Sequence, residues 1–353
     1  IRALKLQAGG CAALGSPFCA GLLERFADDV TAGGASLALF APWAEASTRT
    51  LMTEAVPIRL LGALHDLVLS GDAPDLAAAY PQPGHPANVD RAWSAAREVV
   101  ETDAARLVAF MGHEPQTNEV RRSACLLGGF LTVAAETGLP LRCFELGASA
   151  GLNQLWDQFR YDFGEAGGWG DPAAAVAIDA EWRGRPGPLA TPARVIEHAA
   201  CDRAPVDLAD PIARRRLRAF VWADQFDRLA RLDGAIAAAL AAGTQVETAD
   251  AVDWATRRAH PAPGAATVLY HSVFQQYMPP ESQAALAALA RARGQAATAE
   301  APFAWLRMEP PPDNLAVMEL RLTLWPGGDD RRLATVHPHG AWVEWEGARA
   351  GTC

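Results

Sequence analysis

Apolar residues recur at helical spacing through the first 140 residues of the chain. One apolar stripe runs through residues 22–30 and another through residues 60–69, with side chains three or four positions apart. This periodicity is typical of amphipathic helices. Further helices are predicted over residues 91–111 and 117–137, and no convincing strand precedes residue 141. The pattern therefore predicts a helical cap domain over residues 1–114.

After residue 140 short apolar strands alternate with longer helices. The predicted strands are residues 141–146, 194–198, 245–249, 267–274 and 303–308. The predicted helices between them include residues 212–242 and 281–293. Alternation of this kind favours an α/β fold, a doubly wound, mostly parallel, Rossmann-like sheet with helices on both faces. We assign it to residues 115–353.

Two further segments of this α/β part depart from the alternation. Residues 319–325 and 333–345 flank the turn Pro-Gly-Gly-Asp-Asp at residues 326–330, which predicts a C-terminal antiparallel hairpin. Residues 161–192 are rich in Gly, Pro and Trp and are too long for a simple connection between two strands. Long loops of this kind are commonly functional, so this insertion is interpreted as a flap over the site.

The charge and composition narrow the function classes. The chain has 353 residues, half of them hydrophobic, and a formal net charge of −10. Nucleic-acid binding normally requires a basic surface, so nucleic acid is not an expected partner. No apolar run is long enough to cross a bilayer and no secretory leader opens the sequence. We therefore expect a protein of the cytoplasm that acts on a small molecule, with an oligomeric state that the sequence does not reveal.

The cysteines and histidines do not predict a metal site. The six cysteines show no Cys-x-x-Cys pair and no regular spacing, and we expect them to be reduced thiols. His337 and His339 bracket a proline ahead of Gly340, and a third ligand at a sensible spacing is not evident. A turn or strand end is the preferred interpretation of the two histidines.

The sequence ELGASAGLN at residues 145–153 is the most informative feature for function. It follows the apolar run of the first predicted strand and precedes apolar residues at roughly helical spacing. The expected arrangement is a strand, a tight glycine turn and a helix. Glycines permit a sharp bend or a close approach by a ligand, and the amides at the start of a helix face whatever occupies the turn. This loop is therefore predicted to be a small-molecule site.

Acidic residues follow two successive predicted strands. Asp202 comes after the second strand in the sequence CDRAP, and Asp250 follows the third in ETADA. In an open parallel sheet, ligands bind outside the carboxyl ends of the strands. A carboxylate there can accept the two hydroxyls of a ribose or the amino group of an adenine.

The glycine loop preceded by Glu145, the two acids and the terminal hairpin together resemble the class I S-adenosylmethionine-dependent methyltransferases. A more specific resemblance, to an uncharacterised bacterial family with a methyltransferase-like fold, rests on several segments spread over most of the chain. These segments are QTNEVRRSA (116–124), ELGASAGLN (145–153), VWADQ (221–225), HSVFQQYMP (271–279), WLRMEP (305–310), ELRLTLWPGG (319–328) and HPHGAWVEW (337–345).

The resemblance implies S-adenosylmethionine as the cofactor and a methyltransferase-like sheet. The residues it implies for cofactor binding are Glu145, Gly147, Ala148, Ser149, Gly151, Asn153, Asp202, Asp250 and Ala251. Within this set the loop would cradle the methionine part of the cofactor, and Glu145 would orient the loop or meet the ammonium group. Asp202, with Glu197 as the alternative, would hold the ribose hydroxyls. Asp250 would accept the adenine amino group, with Ala251 beside the ring.

The resemblance also places His271 near the sulfonium, which makes it the first candidate for a general base, with Tyr277 as the second catalytic candidate and His339 behind it. A base is needed only if the methyl acceptor must lose a proton. The expected substrate-binding residues are Asn118, Glu119, Gln276, Glu309 and His339.

Two other functions are compatible with the sequence. GASAG also matches the Gly-x-Ser-x-Gly nucleophile elbow of esterases and lipases. The triad would then be Ser149, one of Asp202, Asp250 or Glu309, and His337 or His339. The helical character of the first 140 residues and the lack of an HGGG-type segment weigh against this alternative. The other alternative is a methyltransferase-like protein that binds the nucleoside without turnover.

Overall fold

The computed structural model describes residues 1–85, 87–311, 314 and 317–347. It divides into two compact units. One contains the described residues of Ile1–Thr117 together with Asp207–Ala230, and the other contains Asn118–Val206 and the described residues from Arg231 onward. The sequence assigns everything after residue 114 to the α/β part, whereas residues 207–230 group with the N-terminal helices.

Helices form most of the first unit and alternate with strands in the second. The α-helices are α1 (Arg2–Ala13), α2 (Pro17–Thr31), α3 (Thr48–Thr53), α4 (Val56–Ser70), α5 (Pro74–Ala79), α6 (Val89–Met111), α7 (Arg122–Thr137), α8 (Pro211–Ala219), α9 (Phe226–Ala242), α10 (Ala251–Arg258) and α11 (Pro280–Gln295). Short 3₁₀ helices occupy Ala35–Trp43, Leu152–Gln158, Gly164–Ala166 and Gln275–Tyr277.

The strands begin at residue 141, as the sequence predicts. They are β1 (Leu141–Leu146), β2 (Arg160–Asp162), β3 (Gly168–Trp169), β4 (Ala177–Asp179), β5 (Glu181–Gly184), β6 (Val195–Asp202), β7 (Glu247–Thr248), β8 (Ala266–Ser272), β9 (Phe303–Glu309), β10 (Met318–Trp325), β11 (Asp330–Val336) and β12 (Trp342–Trp345). The mixed α/β class and the mostly parallel central sheet are therefore confirmed.

The helical unit is built on the apolar stripes seen in the sequence. Leu22, Leu23 and Phe26 of α2 are fully buried, and they share one core with Leu60 and Leu64 of α4. In the part of the chain that the structure describes, no helix combines the length and the apolar character that a bilayer crossing requires.

A nine-stranded sheet with the order β5-β12-β11-β10-β9-β8-β1-β6-β7 forms the centre of the second unit. Strands β7, β6, β1, β8 and β9 are parallel to one another. The pairings β9–β10, β10–β11 and β11–β12 are antiparallel, and the edge strand β5 is parallel to β12. The chain order of the strands reverses between β1 and β8. In open α/β sheets the crevice in which ligands bind lies at the carboxyl ends of the strands at such a reversal.

Helices cover both faces of this sheet. Neighbouring residues of a strand point to opposite faces. Tyr270 of β8 packs edge-on against Phe130 of α7, whereas the adjacent Leu269 shares a core with Trp254 of α10 and Leu286 of α11. Helix α7 therefore covers one face of the sheet, and α10 and α11 cover the other.

Two predicted elements differ from the observed ones because tertiary contacts override local pattern. The single helix predicted over residues 212–242 is two helices, α8 and α9. The segment between these two helices is held by tertiary contacts. The His65 ring of α4 lies 3.3 Å from the carbonyl oxygen of Ala219 and 3.0 Å from that of Val221. The Asp224 carboxylate accepts hydrogen bonds from the Ser16 hydroxyl and the Phe18 amide, and these contacts together favour a break in the helix.

The predicted helix after the glycine loop is also wrong. A seven-residue 3₁₀ helix, Leu152–Gln158, stands in its place. Leu152 to Trp156 are all buried, so the segment has no polar face to present to water. The Tyr161 hydroxyl donates to the Trp156 carbonyl at 2.7 Å, which stabilises the early exit from the helix into β2.

The predicted flap at residues 161–192 contains regular structure. Strands β2, β3 and β4 form a separate three-stranded sheet, and β5 pairs in parallel with β12 at the edge of the large sheet. The predicted second arm of the hairpin, residues 333–345, is divided between β11 and β12.

Candidate functional site

The glycine loop, residues 147–151, leaves the carboxyl end of β1 in a tight left-handed course. Gly147, Ser149 and Gly151 have φ values of +66°, +54° and +75°. Glycine adopts this region freely, whereas a serine there is uncommon. The Gly151 amide donates to the Ala148 carbonyl at 2.8 Å, which closes the turn.

Asp202 at the end of β6 holds this loop in place. One carboxylate oxygen accepts the Ser149 amide at 2.8 Å and the other accepts the Ala204 amide at 2.9 Å. The Ala148 amide also donates to the Cys201 carbonyl at 3.1 Å. The predicted proximity of Asp202 to the glycine loop is therefore observed, and the other ribose candidate, Glu197, forms an ion pair with Arg142 at 2.6 Å instead.

Asp250 lies one strand further along the same edge. Asp202 and Thr248 are register partners, and the Ala249 amide donates to the Asp202 carbonyl at 3.0 Å, so the tips of β6 and β7 are adjacent. One oxygen of the exposed Asp250 caps α10 by accepting the amides of Val252 and Asp253. Ala251, the first residue of α10, is buried.

Asn118 and Glu119 join the loop from the other side. The Asn118 side-chain oxygen accepts the Leu152 amide at 3.0 Å, and the Asn153 side-chain amide lies 3.4 Å from the Glu119 carbonyl oxygen. Glu119 and Asn153 are only 3% and 2% exposed. These contacts therefore help to fix the conformation of the loop, and Asn153 is a structural part of it.

Glu145 is buried beneath the loop and faces Tyr270, its register partner on β8. The Tyr270 hydroxyl donates to the Glu145 carboxylate at 3.2 Å. Burial raises the pKa of Glu145 to about 8; the Tyr270 hydrogen bond lowers it, and the nearby Asp202 charge adds to the rise. This shift favours the protonated carboxyl near neutral pH when no cationic group faces it.

His271 is sealed in the sheet rather than facing the crevice. Its side chain is fully buried, and its Nδ1 lies 2.7 Å from Glu309 Oε1. The Trp305 indole N–H, which can only donate, points at His271 Nε2 over 3.3 Å. His271 Nε2 must then accept and Nδ1–H must donate to Glu309, so neither ring nitrogen is available to a substrate in this arrangement.

The other predicted side chains are spread over the unit. Gln276 and Tyr277 are exposed, and Tyr277 is 70% exposed. The His339 amide donates to His337 Nδ1 at 3.0 Å, and their loop is tied to the start of α7 by a 2.9 Å bond from Arg122 Nε to the Pro338 carbonyl. Among the described residues no three His, Cys, Asp or Glu side chains are grouped to hold a metal ion.

Phe274 is the residue at the crevice that the sequence interpretation missed. A Cβ atom placed on Gly147 would lie 2.1 Å from Cδ2 of the Phe274 ring, so the ring rests directly on the glycine. Phe274 sits in the motif HSVFQQYMP, two residues past β8. The motif was visible in the sequence, but no local pattern indicates which of its side chains turns toward β1.

The family follows from a comparison of the whole sequence. A family model described as "uncharacterized protein conserved in bacteria" (DUF2332) matches residues 2–345. The chain belongs to this family. Neither a search of curated proteins nor a search of solved structures gives a match. The DUF2332 match covers both compact units, so the glycine loop and the helical unit belong to one family pattern.

The described thiols offer no nucleophile for this site. Cys11, Cys19, Cys125, Cys143 and Cys201 are buried and free, and Cys353 lies outside the described residues. Burial raises the pKa of the thiols of Cys125 and Cys201 to about 12 and that of Cys11 to about 11. Thiols of this kind are inert as nucleophiles at neutral pH.

Proposed function

We propose that this chain binds S-adenosylmethionine at the carboxyl ends of β1, β6, β7 and β8 and transfers its methyl group to a small molecule. The strand order supports this. Numbered along the chain, the five parallel strands β1, β6, β7, β8 and β9 lie in the order 3-2-1-4-5. That is the order of the Rossmann fold, in which nucleotides bind at the reversal of strand order.

The observation that carries the proposal is the link between the glycine loop and Asp202. The turn at the end of β1 is left-handed, and its glycines carry no side chains of their own that would block a ligand. The Asp202 carboxylate at the tip of the neighbouring strand β6 accepts the Ser149 amide of this turn at 2.8 Å. Each carboxylate oxygen has a second lone pair, so Asp202 can accept ribose hydroxyls while it holds the loop.

Asp250 is suited to the adenine. Its Oδ1 is engaged as the cap of α10, by the Val252 amide at 2.9 Å and the Asp253 amide at 3.2 Å. The second oxygen can accept the exocyclic amino group of an adenine stacked beside Ala251. The tips of β6 and β7 are adjacent, which is compatible with Asp202 binding the ribose and Asp250 binding the base of one nucleoside.

Methyl transfer relies mainly on positioning. A nucleophile, the methyl carbon and the sulfur must be held in line. Binding already restricts the motion of the two reactants, so the transfer step itself loses little further entropy. His271, whose two ring nitrogens are engaged by Glu309 and Trp305, supports the site from within the sheet in this arrangement. Tyr277 is exposed and remains the candidate that could meet an acceptor.

The test is binding of S-adenosylmethionine and of its demethylated product, S-adenosylhomocysteine, measured by isothermal titration calorimetry. The decisive variant is Asp250→Asn. Asn caps a helix as well as Asp does, so the fold is preserved. The side-chain amide, however, replaces the acceptor that the adenine amino group needs. We expect at least tenfold weaker binding, about 1.4 kcal/mol.

A matched control is available at another helix N-terminus. Asp210 caps α8 in the same way, by accepting the Ile212 amide at 2.9 Å. Asp210→Asn should leave affinity unchanged. No binding by the wild type at millimolar ligand, or equal binding by wild type and Asp250→Asn, would refute the proposed site.

A serine hydrolase is a second candidate because Ser149 has the left-handed backbone, φ +54°, expected of a serine on a strained turn. The three candidate acids of the triad have other partners among the described residues. Asp202 bonds the Ser149 amide, Asp250 caps α10, and Glu309 pairs with His271 rather than with His337 or His339. Labelling of wild type but not Ser149→Ala by an organophosphonate probe would establish this function; an unlabelled Ser149 would remove it.

Binding without turnover is the remaining alternative. It shares the site and differs only in the outcome of incubation with a metabolite extract. Methylated product, followed with a methyl-labelled cofactor, indicates a transferase. Tight binding of the cofactor with no labelled product indicates a nucleoside-binding protein.

A further inference from the structure

The space directly over Gly147 is occupied by a side chain of the protein itself. An atom the size of a Cβ on Gly147 would lie 2.1, 2.7 and 2.9 Å from three carbons of the Phe274 ring. A ligand that approached Gly147 from this side would meet the same ring. Phe274 is only partly buried, so the ring has solvent into which it can move.

A single carboxylate oxygen holds Phe274 at this position. Glu309 Oε1 accepts the amides of Phe274 at 2.9 Å and Gln275 at 3.1 Å, in addition to the His271 ring at 2.7 Å. Successive backbone N–H groups of this kind form a concave anion site. The Glu309 side chain is 14% exposed, and its partner His271 is fully buried, so the anchor is well shielded from water.

The backbone just before Phe274 is strained. Val273 has φ +53°, a region that β-branched residues rarely adopt. Its amide donates to the Met308 carbonyl at 2.8 Å, on the strand that ends with Glu309. The turn that presents Phe274 is therefore kept in an unfavourable conformation by contacts with the end of β9, and release of these contacts would let the turn relax.

We propose that Phe274 controls access of the ligand to the glycine loop and that Glu309 is the positioning residue that holds Phe274 over Gly147. This rests on the proposed function, because it assumes that the methionine part of the cofactor occupies the space above Gly147. In the observed arrangement the site is closed, and binding requires the ring to swing away. The apparent dissociation constant then equals the intrinsic one divided by the open fraction.

The test compares S-adenosylmethionine affinity, by calorimetry, in the wild type and in Phe274→Ala. Removal of the ring should strengthen binding about tenfold, about 1.4 kcal/mol. Phe274→Leu, which keeps part of the side chain, should give an intermediate gain and provides a second variant should the alanine variant fold poorly. Trp325→Ala is the matched control, because the Trp325 ring packs equally closely on Gly294 of α11; its affinity should equal that of the wild type.

Glu309→Gln tests the positioning role. The neutral amide is a weaker acceptor, so we expect faster hydrogen exchange at the Phe274 and Gln275 amides and a smaller gain in affinity. The double variant Phe274→Ala/Glu309→Gln should bind as tightly as Phe274→Ala alone, because Glu309 acts only through the ring. A double variant that binds markedly more weakly would show that Glu309 contacts the ligand itself, which would overturn the assignment.

The outcomes separate this proposal from the proposed function. If the wild type binds and Phe274→Ala binds no tighter, the cofactor site stands and the access role is wrong. If Phe274→Ala binds while the wild type does not bind at millimolar ligand, the ring blocks the site as proposed here, but the proposed function of the wild-type protein is refuted. If neither binds at millimolar ligand, the cofactor site and the access role are both refuted.

Discussion

Gly147→Ala measures how closely the crevice is packed in the ligand-free protein. Two separate costs follow from the structure. The backbone φ of +66° carries a penalty for any residue with a Cβ, about 1–2 kcal/mol for an L-residue in the left-handed region. The new methyl group would also lie 2.1 Å from the Phe274 ring, and overpacking of this kind costs about 1–3 kcal/mol. The sum is about 2–5 kcal/mol of unfolding free energy.

Gly138 provides a control that isolates the backbone cost. It ends α7 with the same φ of +66°, and a Cβ there would meet nothing within 4 Å. Gly138→Ala should therefore lose only about 1–2 kcal/mol. The excess loss in Gly147→Ala is the steric cost of the ring.

The assay is urea unfolding followed by tryptophan fluorescence, with hydrogen exchange of peptides from β1 to assign the transition to the α/β unit. The Phe274→Ala background completes a double-mutant cycle. There Gly147→Ala should cost no more than Gly138→Ala, so the coupling between residues 147 and 274 is about 1–3 kcal/mol. An equal cost of Gly147→Ala with and without the ring would refute the contact, and with it the closed arrangement.

Two further predictions concern buried polar groups. Burial raises the pKa of Glu145 to about 8 in the folded protein, from an ordinary value of 4.5. Between these two pH values the folded protein keeps a proton that the unfolded chain loses. The free energy of unfolding should therefore fall as pH rises across this window, by at most about 1.4 kcal/mol per pH unit. Glu145→Gln, which is neutral throughout, should flatten this slope in urea titrations at pH 5 to 8, and an unchanged slope would mean that Glu145 is ionised in the fold. His271→Ala should lose about 3 kcal/mol because it leaves the buried Trp305 N–H without its partner and removes one of the three donors to Glu309 Oε1. The exposed His260→Ala is its control in the same denaturation assay, and a loss as small as that of the control would contradict the buried arrangement.

Much of the α/β unit can be predicted from local pattern. The first strand is predicted with its observed bounds, residues 141–146, and β6, β8 and β9 fall within a few residues of the predicted segments. Strand periodicity and glycine turns are properties of short stretches of sequence, so they can be detected without knowledge of the fold.

Long-range pairings are beyond this reasoning. Glu309 and His271 are 38 positions apart, and their contact depends on β8 and β9 being parallel neighbours. The sequence suggested a catalytic role for His271 and a substrate-binding role for Glu309. Motifs identify polar residues, but they do not show which of them are buried against each other. The 3₁₀ helix after the loop was missed for a related reason: Leu152 to Trp156 are buried on every side, a circumstance that only the packed structure creates.

The class of the fold, the position of the glycine loop and the acids after the neighbouring strands can be inferred from local sequence, because each is encoded in a few consecutive residues. The order of the strands, the bond between Asp202 and the Ser149 amide, and the position of Phe274 over Gly147 are known only from the folded chain. Those features arise where strand ends from distant parts of the chain meet at one edge of the sheet, and their geometry depends on which strands become neighbours.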